Sequence, residues 1–354
     1  MTSLFVVSTM TFSGKTALVA GLLQHLRQDG YKVGYLKPIS ATPTVSGRQL
    51  ADTDAQFIKQ TFDLAAPLSK IVPVELTASA VEKAWRDKTD LPARVKTVFD
   101  ELSADADILI VEGGGNLGEG SMFGLSAPEI ATLLDLPSLV VSRYTHRLVG
   151  DDILKARHIL GDRLVGAVVN AVPRRERELF SDTVVPILEE HGVPILGLLP
   201  RQRLLTAATV RELADGINGK ILAGEEHTDA LVENLSVGAM GVDNALTHFR
   251  RKPNKAVITG GDRSDIHLAA LETSTRCLIL TGGLHPSPQI ITQAEAKGVP
   301  IILSHQSTLE TVETINQFFG RTRFHEAKKL ELFQQILETN FDFARLYQAL
   351  DIGS

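Results

Sequence analysis

The sequence predicts an α/β chain: a mostly parallel sheet covered by helices on both faces, followed by a second, smaller α/β domain. Three observations carry that expectation. Short apolar runs alternate with helix-period segments through the first 200 residues, as strands buried on both faces require. The alternation lapses over residues 200–240, where Gly216, Gly219, Gly224, Gly238 and Gly241 punctuate the chain, and then resumes. A length of 354 residues also exceeds what one hydrophobic core usually serves. The boundary is expected near residue 205, giving domains 1–204 and 205–354.

Each element follows from local pattern. Residues 4–7 are an apolar run that reads as a buried strand, and a helix follows from about Lys15 to Asp29, stopped by Gly30. Residues 32–37 form a second short strand. The Asp52-Thr53-Asp54 triplet supplies a cap for a helix through Phe62, and residues 65–90 are less regular. Residues 107–112 read as a buried strand running into Gly113-Gly114-Gly115. Helices at 127–134, 151–160 and 177–191 then alternate with strands at 138–142, 164–170 and 194–199. In the second domain, strands at 256–259, 277–281 and 300–304 alternate with helices at 265–274, 287–297 and 309–319, and residues 326–350 read as one or two amphipathic helices of that domain. Val257-Ile258-Thr259-Gly260-Gly261 is echoed by Ile279-Leu280-Thr281-Gly282-Gly283 one unit later. With Ser304-His305 these turns could frame a ligand crevice. They could equally be plain tight turns, with Asp262 or Ser264 capping a helix.

Composition narrows the function classes. Hydrophobic residues make up 44% of the chain and charged residues 22%, and the net charge is −6. An acidic chain disfavours wholesale nucleic-acid binding. The single cysteine, Cys277, sits in an apolar run and reads as a small buried hydrophobe. No leader pattern and no apolar run of about 18 residues is present, so a cytoplasmic protein that does not cross a membrane is expected.

The first strand and helix are joined by Thr9-Met10-Thr11-Phe12-Ser13-Gly14-Lys15-Thr16. A strand, a loop ending in Gly-Lys-Thr and a helix form the context of a phosphate-binding P-loop. Backbone N–H groups at the helix start attract anions, Lys15 adds a charge near the outer phosphates, and the Thr16 hydroxyl can ligate magnesium. A strict P-loop has glycine at position 9, where this chain has Thr9. Glu112 ends a buried strand and is the best metal carboxylate; Asp54 is either a second one or a helix cap. Lys37 ends the second strand and is either solvated or part of the site, while Asn170 could read a base edge or make a turn. His146, His158 and His191 lack zinc spacing, and Arg174 to Glu178 reads as a solvated helix start.

Residues 3 to about 200 resemble the dethiobiotin synthetase family, whose loop is one residue longer than the strict P-loop. On that template Thr9, Thr11, Gly14, Lys15 and Thr16 match, and Ser8 and Met10 depart. Lys37-Pro38-Ile39-Ser40 resembles the family segment whose lysine holds the carbamate being phosphorylated. Asp54 and Glu112 fall where magnesium carboxylates lie, and Asn170 where adenine is contacted. The resemblance implies ATP and magnesium as ligands. Thr9, Ser13, Gly14, Lys15, Thr16, Ala17, Gly113 and Asn170 would then bind the nucleotide, Thr16, Asp54 and Glu112 the metal, and Lys15, Lys37 and Thr11 would act in any catalysis. The family's Ser-Pro-His segment has no counterpart in residues 74–85, and its Gly-Ala-Gly becomes Gly113-Gly114-Gly115-Asn116, so the substrate pocket is not carried over.

Residues 205–320 resemble the DRTGG domain, nearest at Thr259-Gly260-Gly261-Asp262-Arg263-Ser264-Asp265. The pair is similar to the amino-terminal regulatory half of long phosphate acetyltransferases. That implies a nucleotide-binding regulator or sensor with at most slow ATPase activity, a homo-oligomer (a dimer favoured), and a possible small-molecule effector at the second domain. The alternative is an ATP-dependent ligase or kinase acting on a small carboxylate or carbamate.

Overall fold

The structure is a computed structural model that describes residues 2–41, 44–46, 49–318 and 327–353. It divides into two compact units, residues 202–323 forming the second.

The first unit is built on six parallel strands: β1 (Thr2–Ser8), β2 (Val33–Leu36), β3 (Ile108–Glu112), β4 (Ser138–Arg143), β5 (Leu164–Val172) and β6 (Ile195–Pro200). Their order across the sheet is β6-β5-β4-β1-β3-β2. The apolar run of β1 explains its central place: Leu4, Phe5, Val6 and Val7 are all buried, as only a strand covered on both faces can be. From β1 the chain moves one way to β2 and β3 and then crosses to β4 on the other side. The carboxyl ends of β1, β3 and β4 therefore border the switch point where ligands collect in such sheets. Helix α1 (Lys15–Gln28) leaves this edge directly, and α2 (Thr53–Thr61), α3 (Leu91–Ala104), α4 (Ala127–Leu133) and α5 (Val149–Leu160) cover the sheet. The stretch 65–90 has more order than its sequence suggests, with helices at Leu68–Ile71 and Ala78–Asp87. The helix expected at 177–191 begins earlier, at Arg174, and passes through a π-turn at Phe180–Val184.

The second unit holds β7 (Lys220–Ala223), β8 (Asn234–Val237), β9 (Lys255–Gly260), β10 (Thr275–Thr281) and β11 (Ile301–Leu303) in the order β7-β11-β10-β9-β8. The first strand runs antiparallel to β11 and the others are parallel. Cys277 is buried in this sheet, and burial pushes its thiol well above the usual range. The irregular-looking residues 200–240 contain a helix, Val210–Gly216, started by a capping box between Thr209 and Glu212. Beyond it, α6 (Val242–Arg250), α7 (Ser264–Leu271), α8 (Pro288–Ala296) and α9 (Thr308–Phe318) complete the unit. Phe319, expected to end the last of these, lies outside the described residues.

The tail corrects the expected domain division. Helices α10 (Ala327–Asn340) and α11 (Phe343–Ala349) belong to the first unit, not the second. Leu337 and Phe333 of α10 press on Gly21 of α1, where an added Cβ would stand 2.7 Å from a Leu337 methyl. His25 of α1 stacks on Phe343 with ring centroids 3.5 Å apart and bonds Glu338 at 2.7 Å. An amphipathic tail carries no mark of which apolar face it will cover, so its address lies in Gly21 and His25. The expected tail start at Glu326 lies outside the described residues.

The tightest glycine contact of the second unit is at Gly261. A Cβ at Gly261 would lie 1.8 Å from the Leu284 carbonyl oxygen, whereas one at Gly260 would meet only the movable Asp262 carboxylate. Gly261→Ala should therefore destabilise this unit by about 2 kcal/mol or more, and Gly260→Ala by less than about 1 kcal/mol, read as thermal or urea midpoints of the two variants. Equal midpoints would overturn the assignment.

Candidate functional site

Helix α1 starts abruptly because Gly14 caps it with φ of 94°, a left-handed conformation that costs glycine little. No side chain caps this end. The N–H groups of its first turn have no acceptor within the helix and point out of the sheet edge. Phe12 is also left-handed, with φ of 55°, and is exposed. Non-glycine residues hold such a conformation where the surroundings impose it.

Glu112 is the centre of the site. It is fully buried at the end of β3, beside Val6 of β1. Thr16 donates its hydroxyl to Glu112 Oε1 at 2.8 Å, and Lys15 Nζ stands 3.5 Å from the same oxygen. Tyr35, buried on β2, donates to Oε2 at 2.8 Å. Burial and the Glu112 charge together raise the Tyr35 phenol well above its ordinary range, so it remains a donor. The loop is pinned on its other side by Thr9 and Ser142, whose hydroxyls lie 2.9 Å apart, and Ser8 Oγ donates to the Gly115 carbonyl at 3.2 Å.

Lys37 follows β2 and is almost fully buried. Its ammonium lies 2.7 Å from Asp52 and 3.4 Å from Asp54. Burial works against that charge, but Glu112, Asp54 and Asp52 outweigh it and hold Lys37 above the usual lysine range. Asp52 also accepts from Ser40 at 2.7 Å and from the Ala55 N–H at 2.8 Å. Asp52 is thus the cap of α2, which corrects the reading of Asp54 as the cap: Asp54 lies in the first turn and faces Lys37.

The structure brings Thr9, Thr11, Ser13, Gly14, Lys15, Thr16, Ala17, Lys37, Asp54, Glu112 and Asn170 to one edge of the sheet. Asn170 makes a structural contact there: its amide donates to the Ser13 carbonyl at 2.8 Å and covers Gly14, where a Cβ would come within 2.1 Å. Ser13 keeps a buried hydroxyl without a partner. Gly113 does not offer its N–H to a ligand, because it donates to the Val6 carbonyl at 2.9 Å. Its lack of a side chain serves packing against Val7 and Phe5. Sequence reasoning missed Asp52 as the partner of Lys37 and Tyr35 as a donor to Glu112. The alternate acids of Asp52-Thr53-Asp54 carry a signal for the first; Tyr35 looks like any strand aromatic.

Among the described residues no group of three or more His, Cys, Asp or Glu side chains could hold a metal alone. The oxygen donors of Thr16, Glu112 and Asp54 fit a hard cation that takes its other ligands from phosphate and water, which is how magnesium is usually held.

In the second unit the Thr-Gly-Gly turns do share the carboxyl edge of parallel strands, but their polar groups serve one another. Thr281 Oγ1 donates to the Thr259 carbonyl at 3.2 Å and lies 2.7 Å from the Thr308 hydroxyl. Thr259 donates to Gly238 at 3.2 Å. Gly282 and Gly283 turn with positive φ. The cap of α7 is Arg263, without a side-chain bond, so neither Asp262 nor Ser264 has the capping role expected.

Comparison with known proteins agrees with this division. Residues 2–209 match the AAA domain family and residues 212–318 the DRTGG domain. The phosphate acetyltransferase of Synechocystis is 26% identical over 95% of this chain and 50% of its own length; that of Nitratidesulfovibrio vulgaris is 26% identical over 97% and 51%. The chain thus spans about half the length of these relatives. The ATP-dependent dethiobiotin synthetase BioD of Pseudomonas aeruginosa is 30% identical over 59% of this chain and 94% of its own length. By its P-loop unit the chain belongs to the AAA domain family that includes the dethiobiotin synthetases, and it carries a DRTGG domain behind that unit.

Proposed function

We propose that the first unit binds ATP with magnesium and that the chain acts as a nucleotide-dependent regulator or sensor, working in the cytoplasm. The observation that carries this reading is the convergence of Lys15, Thr16 and Tyr35 on Glu112 at the open start of α1. Phosphate would take the free N–H groups of Gly14, Lys15, Thr16 and Ala17. Magnesium, held by Thr16 with Glu112 and Asp54, would neutralise charge between the outer phosphates. The chain matches about half the length of phosphate acetyltransferases, which is in keeping with a regulatory part; in this reading it works as a homo-oligomer and its DRTGG unit takes a small effector of its own.

A second reading is favoured by Lys37. A buried ammonium held between two carboxylates at the phosphate edge is suited to grip an anionic acceptor, as a ligase or kinase for a small carboxylate or carbamate requires.

Titration calorimetry tests the ATP binding that both readings share. Wild-type protein should bind ATP with magnesium, and Lys15→Ala should lose about 10-fold or more in affinity, the weight of a charge-assisted contact. Absence of binding by the wild type would sink both readings.

Lys37→Ala should leave ATP affinity within about 3-fold while lowering stability by about 3 kcal/mol, because Asp52 stays buried without its cation. Under the ligase reading it should also abolish any rise in ATP turnover produced by a panel of small acids and amines with bicarbonate. A panel that leaves wild-type turnover flat counts against the ligase.

A further inference from the structure

The nucleotide site has two ends. Asn170 closes one end of the loop over Gly14, while Lys15, Thr16 and Glu112 gather at the other, where the terminal phosphate of a bound nucleotide lies. At that second end stands a carboxylate that neither motif nor metal reading uses. Glu119 lies over the glycines that follow Glu112. A Cβ on Gly114 would be 2.8 Å from Glu119 Oε1, and one on Gly115 would be 2.9 Å from Oε2 and 2.7 Å from Thr11 Cγ2. The carboxylate therefore straddles Gly114 and Gly115, the glycines that follow Glu112, with the P-loop residue Thr11 next to Gly115.

Its position is fixed by the turn beneath it. Asn116 Oδ1 accepts the Gly118 N–H at 2.9 Å, Glu119 N–H donates to the Asn116 carbonyl, and Gly120 turns with φ of 93° against the Leu125 carbonyl. Glycines at 114 and 115 are what let a carboxylate settle onto the backbone there. No hydrogen bond or ion pair from described residues engages the Glu119 side chain, in contrast to Glu112, Asp52 and Asp54, which are all paired. A half-buried acid with no partner among the described residues, beside the terminal phosphate position, is placed to receive a proton.

We propose that Glu119 is the general base for ATP hydrolysis in this chain, an inference that rests on the ATP reading above. Water attacks the terminal phosphorus, the bond from that phosphorus to the bridging oxygen breaks, and ADP leaves. One water proton passes to the Glu119 carboxylate and from there to solvent, leaving inorganic phosphate. Thr11 lines the same wall, and Lys15 faces the charge that develops on the phosphates.

The test uses the full chain with magnesium and ATP. Calorimetry measures affinity, and phosphate release at saturating ATP measures turnover for wild type, Glu119→Gln and Glu119→Asp. The expected result is affinity within about 2-fold for all three, turnover about 100-fold lower for Glu119→Gln, and partial recovery in Glu119→Asp. The acid limb of the wild-type pH–rate profile should also vanish in Glu119→Gln. Glu119→Gln turning over at the wild-type rate, or wild type binding ATP without releasing phosphate, overturns the Glu119 assignment and leaves ATP binding standing. Wild type failing to bind ATP overturns the ATP reading itself.

Discussion

A buried carboxylate must be paired, and the pairing of Glu112 organises the first unit. Leaving it uncompensated inside the sheet would cost several kcal/mol. The fold meets that cost with donors from three elements: Lys15 and Thr16 from the start of α1 and Tyr35 from β2. These contacts require β3 to lie between β1 and β2 with Val6 beside Glu112, which is the arrangement observed. They also require α1 to begin where Gly14 turns it. One interaction thus fixes strand order, register and helix start together. It does so with the groups that a phosphate and a cation would otherwise claim, so the same contacts that hold the ligand-free fold define what a ligand must replace.

The charges at this edge form two linked sets, Lys15 with Glu112 and Lys37 with Asp52 and Asp54. Two ammonium groups face these three carboxylates, and Glu119 adds a fourth, so the edge carries no surplus positive charge with which to receive a triphosphate. Tyr35 contributes a dipole only. Helix-end N–H groups supply roughly half a positive charge, well short of what ATP brings. On electrostatics alone, tight binding of ATP to this constellation calls for an added divalent cation, and the hard oxygen donors present suit magnesium.

The sheet and the phosphate loop were legible because their causes are local. Apolar runs such as 4–7 and 107–112 can only be buried strands, and Gly14-Lys15-Thr16 between a strand and a helix has few other uses. What stayed hidden depends on pairing between distant residues. Nothing near Tyr35 announces that Glu112 lies across from it, and Asp52 and Asp54 differ in role only because one reaches both Ser40 and Lys37. The destination of α10 and α11 was misread for the same reason, since an amphipathic face names no partner. Residues 200–240 looked irregular because their helix is one short segment and its strands run only 2–4 residues, too short to show a period. The resemblance implies a nucleotide role for Gly113, whereas the register of β1 and β3 assigns its N–H to Val6.

The two units use glycine for opposite ends. In the second, Gly261 admits the Leu284 carbonyl, and Thr259, Thr281 and Thr308 link the strand ends through their own hydroxyls. Internal bonds tie down part of its carboxyl edge, while Gln306 Oε1 and His267 Nδ1 are buried there with no partner among the described residues. In the first, Gly114 and Gly115 keep the backbone bare so that Glu119 can lie on it, and Gly14 opens the start of α1. Among the described residues that edge leaves the first-turn donors of the helix, the buried Ser13 hydroxyl and the Glu119 carboxylate without partners. Each such group costs stability without a partner, which supports the reading of this edge as a ligand site.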